Sequence, residues 1–336
     1  MMTRPYPHLQ HRLTAALVAQ DGEALRALFP ADSRARGRLL SCQGPMSCGW
    51  LTAVPAYSRY DHRTCLNNFQ FRTQAAVCLG LPLPLARLGR VCACGAAVDE
   101  FGDHFFLCPL GASQRILKHN LLRDTFVDLL AEVGIPAQTE VPLRALGMTP
   151  PNADPNNQRM DIFFVADGVG YLCDVTVTHP LRPDDSAVVS HQRIRRENAQ
   201  LPGGTAARHA ERRKELLYGS TVRAVPGYVF VPLAAETCGR WGQQTIDLLH
   251  KLARRRAPLP ACCEEDRASF YAGFMSRWAQ RLSVALAQWN ACQLSYRAHC
   301  AAEAQAQQRA SAFPEDLISR GPYRPHFRLF FAQDRP

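Results

Sequence analysis

Residues 158–178 constrain the fold more than any other part of the chain. Two short runs rich in Val, Ile, Phe, Tyr and Thr flank the dipeptide Asp167-Gly168, and this pattern predicts a β-hairpin rather than a helix. Each run carries one acid, Asp161 in the first and Asp174 in the second. A carboxylate within an apolar strand is costly unless it is paired, neutralised or bound to a cation. Two such acids on adjacent strands indicate a divalent-cation site; the alternative is that both face water at a sheet edge.

Length, charge and cysteine content limit the kind of protein this chain can be and the kind of partner it can bind. The 336 residues are enough for one large or two ordinary domains, and the net charge is +10. This charge favours a polyanionic partner, nucleic acid before membrane, since the sequence shows no amphipathic lysine-rich helix and no lipidation motif. No apolar run reaches membrane-spanning length. Only three of the 39 basic residues are lysine; arginine suits forked phosphate contacts, although a GC-rich genome would give the same bias. The 13 cysteines are mostly single and widely spaced, which favours an intracellular, reducing compartment.

A compact group of metal ligands lies between residues 89 and 110. Cys92 and Cys94 are separated by one residue, and His104 and Cys108 follow four residues apart. Three thiols and one imidazole form a donor set that tetrahedral zinc prefers, and a helical segment would place His104 and Cys108 on one face. With all four positions filled by protein, such a zinc is structural rather than catalytic. The alternative is a set of unrelated buried cysteines.

The region 111–255 alternates helices and strands around the hairpin. Leu122, Phe126 and Leu129 mark an amphipathic helix, and Ala137–Val141 can form a first strand with Glu140 near its end. Further predictions are a helix over 186–200, a helix over 205–218, a strand over 225–233 and a helix around Ile246–Leu252.

Lys214 lies on the apolar face of the predicted helix 205–218. Ala207, Ala210, Lys214 and Leu217 follow offsets of 0, 3, 7 and 10, which place them in one stripe. A lysine on an inward stripe must reach an anion or extend its amine to water. Both interpretations remain open from the sequence.

This succession of elements resembles the PD-(D/E)XK nucleases. More closely, it is similar to the restriction-enzyme-like endonuclease region of early-branching, site-specific non-LTR retrotransposons. The resemblance covers roughly residues 40–295. It depends on the upstream Cys/His group and on Arg159-Met160-Asp161, Asp174-Val175-Thr176-Val177 and Lys214 with Tyr218.

The resemblance implies a metal-dependent endonuclease that nicks DNA and leaves a free 3′ hydroxyl to prime reverse transcription. Asp161 and Asp174 would hold Mg²⁺, with the Val175 carbonyl as a further ligand. Lys214 would orient the attacking water or stabilise the developing charge. The resemblance also implies a nuclear location, a reverse transcriptase domain in the same element, and element RNA as a second partner besides DNA.

Accessory roles are predicted for two further groups. Glu140 would add a carboxylate, and Tyr218 accompanies Lys214 in the family motif. Arg193, Arg195 and Arg196 would follow the DNA backbone, whereas the alternative is a solvated arginine face.

The chain departs from the family pattern at two positions. Met160 replaces a proline that shapes backbone, and Thr176 replaces the usual lysine of the superfamily. In the retrotransposon group a later helix supplies that lysine, which points to Lys214. Arg182-Pro183-Asp184 matches the first motif, but no apolar strand follows it, and no Tyr-x-Asp-Asp polymerase signature occurs in the chain.

The expected fold is therefore α/β, with a PD-(D/E)XK nuclease-like core made of a small mixed sheet flanked by helices. The predicted organisation is a helical N-terminal extension (1–88), a CCHC zinc knuckle (89–110), the nuclease core (111–255), C-terminal helices (256–300) and a flexible tail (301–336). Two rival functions remain: a degenerate nuclease that binds nucleic acid without cleaving it, favoured by Thr176, and a zinc-stabilised adaptor with no nucleic-acid role.

Overall fold

The computed structural model describes residues 9–30, 33–53, 65–149, 158–181, 204–256 and 264–311. It shows a mixed α/β protein, as the sequence predicts. The helices are α1 (Leu9–Ala27), α2 (Arg34–Cys42), α3 (Asn68–Leu79), α4 (Asp103–Leu107), α5 (Ala112–Glu132), α6 (Thr205–Lys214), α7 (Ser220–Arg223), α8 (Gln243–Arg256) and α9 (Glu264–Ser311). The strands are β1 (Ala137–Pro142), β2 (Arg159–Ala166), β3 (Val169–Thr178) and β4 (Tyr228–Glu236).

The four strands form one sheet in the order β1-β2-β3-β4. β1 and β3 pair antiparallel with β2, while β4 pairs parallel with β3. The predicted β2–β3 hairpin is confirmed. Its turn residues, Asp167 and Gly168, have φ values of 53° and 76°, the left-handed backbone that a two-residue hairpin turn requires.

Helices pack on both faces of the sheet. On one face, α5, α8 and α9 bury a large apolar cluster against β2, β3 and β4; it contains Phe126, Ile162, Leu233, Leu249 and Trp278. On the other face, Ala207 and Ala210 of α6 pack on Ala234 of β4. Because alanine side chains are short, α6 lies close to the sheet, and this proximity brings the end of α6 to β3.

Three boundaries differ from the sequence-based prediction. β4 begins at Tyr228 rather than at residue 225 and continues to Glu236. The helix that begins at Thr205 is α-helical only to Lys214 and continues as a π-helical turn over Glu215–Gly219. α9 extends to Ser311, past residue 301, where the sequence-based prediction begins the flexible tail. Ala301 is fully buried against the Cys/His region, and burial explains why the helix continues.

A buried polar cluster attaches the Cys/His region to the sheet. Asp103 of α4 accepts two hydrogen bonds from Arg38 of α2 at 2.7 Å. His179, directly after β3, lies 3.3 Å from the same carboxylate. Burial opposes ionisation of Asp103, but His179 and Arg38 outweigh it and hold its pKa below the usual range. The cluster therefore fixes α4 at the end of β3.

Some predictions concern residues outside the described ranges. The helix over 186–200, with Arg193, Arg195 and Arg196, is one of them, and the tail beyond residue 311 is another. Among the described helices, none combines the length and apolar character needed to cross a membrane.

Candidate functional site

Asp161 and Asp174 face each other where the hairpin ladder ends. The last pair between β2 and β3 is Ile162 with Cys173, so the next position of the same register sets Asp161 opposite Asp174. Beyond this point β3 pairs only with β4. The free N–H of Val175 donates to Asp161 Oδ2 at 2.6 Å, and the acid thus replaces a missing strand partner. Both carboxylates are buried, with exposed fractions of 9% and 4%.

Lys214 reaches this acid pair. Its Nζ donates to Asp174 Oδ2 at 2.8 Å, which decides between the two interpretations of its helical stripe. Tyr218 lies on the same side, with its ring centroid 5.8 Å from the Lys214 amine. The π-helical turn Glu215–Gly219 begins directly after the lysine; such turns inside helices are frequent at functional sites.

His119 of α5 is a third ligand candidate that the sequence reasoning missed. Its Nε2 lies 2.7 Å from Asp161 Oδ2, and its Nδ1 lies 3.2 Å from Asn120 Oδ1. Burial lowers the pKa of His119, but the hydrogen bond and charge of Asp161 outweigh burial and raise it. The sequence did indicate that His119 lies on the inward face of its helix. It falls on the same helical stripe as the apolar residues Leu122, Phe126 and Leu129.

The three side chains can meet at one cation. One ligand atom from each of His119, Asp161 and Asp174 lies within 4.8 Å of the others. Burial, and then the charge of Asp161, raise the pKa of Asp174 to about 6, while Lys214 acts in the opposite direction. Two carboxylates and an imidazole suit a divalent cation, which would relieve the repulsion between the acids.

Glu140 and Val175 were also predicted to belong to the site. Glu140 has a left-handed φ of 56° and accepts a hydrogen bond from Arg123 at 2.5 Å. It lines the same cavity as Asp161 but is not a member of the three-residue ligand group. The backbone N–H of Val175 is used by Asp161, and the role of its carbonyl as a ligand stays a prediction.

A cavity of about 570 Å³ adjoins the acid pair. His119, Asp161 and Glu140 line it together with three cationic side chains, those of Arg115, Lys118 and Arg213. Its volume is within the range of small-molecule sites in proteins. His119 and Asp161 of the ligand group therefore face a space in which basic side chains outnumber acidic ones.

The Cys/His group converges as its spacing predicts. One ligand atom from each of Cys92, Cys94, His104 and Cys108 lies within 4.8 Å of the other three. Cys92 Sγ is 3.6 Å from Cys108 Sγ, and Cys94 Sγ is 3.3 Å from His104 Nε2. Burial lowers the pKa of His104, and the neutral imidazole is the form that ligates metals. The donor set is compatible with zinc.

Local hydrogen bonds hold these four ligands in place. Asp99 caps α4 by accepting from the backbone N–H groups of Phe101, Asp103 and His104. Arg297 of α9 places its Nη2 2.7 Å from Cys108 Sγ and 3.2 Å from Cys92 Sγ. A guanidinium beside two thiolates offsets part of their negative charge.

No protein-family model and no curated protein sequence matches the chain. The chemistry of the site is therefore inferred from the side chains that it brings together.

We expect one zinc ion per chain at the Cys/His group. Cys108→Ser removes a thiolate ligand, so this variant should lose the zinc on gel filtration and unfold at a lower temperature. Elemental analysis of the purified protein measures the stoichiometry. Cys292→Ser is the matched control, since Cys292 is exposed and outside the group. Zinc retention by Cys108→Ser would contradict the ligand set.

Asp174→Asn should stabilise the protein when no divalent cation is added. The raised pKa of Asp174 means that the protonated acid contributes stability below about pH 4, and this contribution is lost as pH rises through about 6. At pH 8 the variant should be more stable by on the order of 1–3 kcal/mol. Thermal unfolding followed by circular dichroism at pH 5 and pH 8 tests this.

Asp167→Asn provides the control for that comparison. Asp167 is an exposed turn residue, and asparagine accepts the same left-handed backbone. Its stability should follow the wild type at both pH values. An Asp174→Asn protein less stable than wild type at pH 8 would show that the acid pair carries no electrostatic strain.

Proposed function

We propose that the chain is a metal-dependent endonuclease that hydrolyses a DNA phosphodiester. The observation that carries the proposal is the convergence of His119, Asp161 and Asp174 within 4.8 Å, with the Lys214 amine 2.8 Å from Asp174. Buried acids that converge with a lysine beside an accessible cavity are typical of catalytic sites rather than of structural ion pairs. The basic net charge of +10 suits a polyanionic substrate.

The residues divide the chemistry among them. Asp161, Asp174 and His119 would hold the cation, and a bound divalent cation supplies the Lewis acid for attack on the phosphodiester. Lys214 would orient the attacking water through its amine and stabilise negative charge on the phosphate. The water oxygen bonds to phosphorus while the bond from phosphorus to the 3′ oxygen breaks. The attacking water gives up one proton, and the 3′ oxygen takes one up and leaves as the hydroxyl, so the other fragment ends in a 5′ phosphate.

Lys214 in its observed position supports hydrolysis over binding alone. Thr176 stands where the superfamily usually has lysine, which favours a degenerate nuclease that only binds nucleic acid. The contact of Lys214 with Asp174 places an amine beside the acids from α6 instead. We therefore rank cleavage first and keep metal-independent nucleic-acid binding as the second candidate.

The biological setting is part of the same proposal. By resemblance, the nick would prime reverse transcription in a non-LTR retrotransposon, in the nucleus, with a reverse transcriptase domain and element RNA as partners. The sheet order, the hairpin acids and the adjacent Cys/His group are compatible with a PD-(D/E)XK core. The preferred cation is Mg²⁺ by resemblance. The imidazole of His119 makes Mn²⁺ a second candidate cation.

Purified protein should nick supercoiled plasmid when Mg²⁺ or Mn²⁺ is present. Asp161→Asn, Asp174→Asn and Lys214→Met should each lower the rate by about 10²-fold or more, because each removes a cation ligand or the charge beside the reacting phosphate. Agarose gels that separate supercoiled and nicked plasmid give the rate.

Two variants outside the site serve as controls for nicking. Asp167→Asn changes the hairpin turn, and Lys251→Met changes a lysine that contacts Tyr171. Both should nick at the wild-type rate. Salt-dependent binding without nicking in either metal would favour the second candidate function.

His119→Gln should alter the metal dependence of nicking. An imidazole ligand favours Mn²⁺ over Mg²⁺, so its loss should raise the Mn²⁺ concentration needed for half-maximal rate by about tenfold and change the Mg²⁺ requirement less. Metal titrations of the nicking rate measure both values. His250→Gln is the control, since His250 of α8 contacts Tyr271 of α9 and lies outside the ligand group. Identical titrations for wild type and His119→Gln would remove His119 from the ligand set.

A further inference from the structure

The cavity beside the acid pair contains a buried cation for which the proposed hydrolysis has no use. Lys118 precedes His119 on α5, and its exposed fraction is only 3%. Its Nζ donates to Asn290 Oδ1 at 3.0 Å and lies 5.0 Å from the centroid of the Phe106 ring. Lysine offers three N–H donors, and among the described residues only Asn290 accepts one.

Carboxylates do not balance this charge within the described residues. Arg115 donates to the backbone carbonyls of Cys108 and Pro109, and neither Arg213 nor Lys118 forms an ion pair there. Two carboxylates also line the cavity, but Glu140 pairs with Arg123 and Asp161 pairs with His119. A buried ammonium without a counter-ion is costly, so a site of this kind favours an anionic ligand.

The position of the cations indicates the kind of anion. Arg115, Lys118 and Arg213 line the same cavity as Asp161 and His119. Two consecutive residues of α5 thus contact different sides of the cavity. His119 contacts Asp161 of the acid pair, and Lys118 contacts Asn290. An anion held by the three cations would lie next to the cation-binding group, as a neighbouring phosphate of the same strand does.

We propose that this cavity is a subsite for a backbone phosphate adjacent to the scissile one, held by Lys118 together with Arg115 and Arg213. This inference rests on the proposed function, since the bound phosphate would belong to the strand that the acid pair cleaves.

The test measures binding without cleavage. Asp174→Asn serves as the background, and the probe is a fluorescein-labelled single-stranded DNA of about 12 nucleotides, the scale of a single-strand site. Fluorescence anisotropy at a series of KCl concentrations gives the dissociation constant and its salt dependence. An RNA of the same sequence forms a parallel arm, because RNA presents the same phosphodiester.

Loss of the Lys118 charge should weaken binding and also change its salt dependence. Lys118→Met should raise the dissociation constant about tenfold and reduce the slope of log affinity against log salt by about 0.7, the value for one phosphate contact on a single strand. Lys251→Met, which changes a lysine outside the cavity, should leave both quantities unchanged. Weaker binding with an unchanged slope would assign Lys118 a structural role and overturn the subsite.

A second variant avoids any effect on the buried core. Arg213→Gln changes an exposed residue of α6 that lines the cavity, while Arg212→Gln changes its exposed neighbour, which does not. Arg213→Gln should reduce the slope and Arg212→Gln should not. Equal behaviour of the two would overturn the subsite. Equal losses for DNA and RNA support it, since both supply the phosphate.

Failure of the subsite and failure of the proposed function give different results. If wild-type protein nicks plasmid but Lys118→Met and Arg213→Gln bind as their controls do, the subsite is wrong and the nuclease stands. If no metal supports nicking but both variants lose affinity and slope, the cavity is a phosphate site of a protein that binds without cleaving.

Discussion

The rest of the site depends on two carboxylates buried opposite each other across the β2–β3 hairpin. Burial, and then the like charge of Asp161, disfavour the ionised carboxylate of Asp174, and its raised pKa reflects that cost. Each stabilising contact comes from a different element: the Val175 N–H from β3, the His119 imidazole from α5 and the Lys214 amine from α6. The core must therefore be assembled before the acids can be tolerated, because no single element supplies enough compensation.

The helix α5 connects the two metal-ligand groups of the chain. It begins four residues after Cys108 and carries Lys118 and His119 less than three turns later. The Cys/His group is held from the opposite direction by Asp103, which bonds Arg38 and lies beside His179 after β3. A structural zinc at this group would thus fix where α5 begins and in which direction it crosses the sheet. In this way a metal with no open coordination position could still determine the geometry of the acid pair.

The sequence predicted those parts of the site whose signal is local. The two runs of β-favouring residues around Asp167-Gly168 predicted the hairpin. Helical offsets predicted that Lys214 lies on the inward face of its helix. It did not predict His119, because a histidine on an apolar stripe has no distinguishing spacing relative to acids that lie much further along the chain. The end of the ladder at Asp161 and the burial of Ala301 under the Cys/His region arise from tertiary packing. Such features depend on which elements meet, and a propensity for helix or strand contains no information about that.

The few lysines of this chain are concentrated at the candidate site. Only three of its 39 basic residues are lysine, and two of them, Lys118 and Lys214, lie at the cavity or at the acids. Arginine ends in a planar fork of donors, whereas lysine ends in a single ammonium on a flexible stem. An ammonium is also a compact charge that fits beside a single carboxylate oxygen, as Lys214 does at Asp174. In an arginine-rich chain, these two positions are where a smaller cation on a flexible stem has a physical advantage.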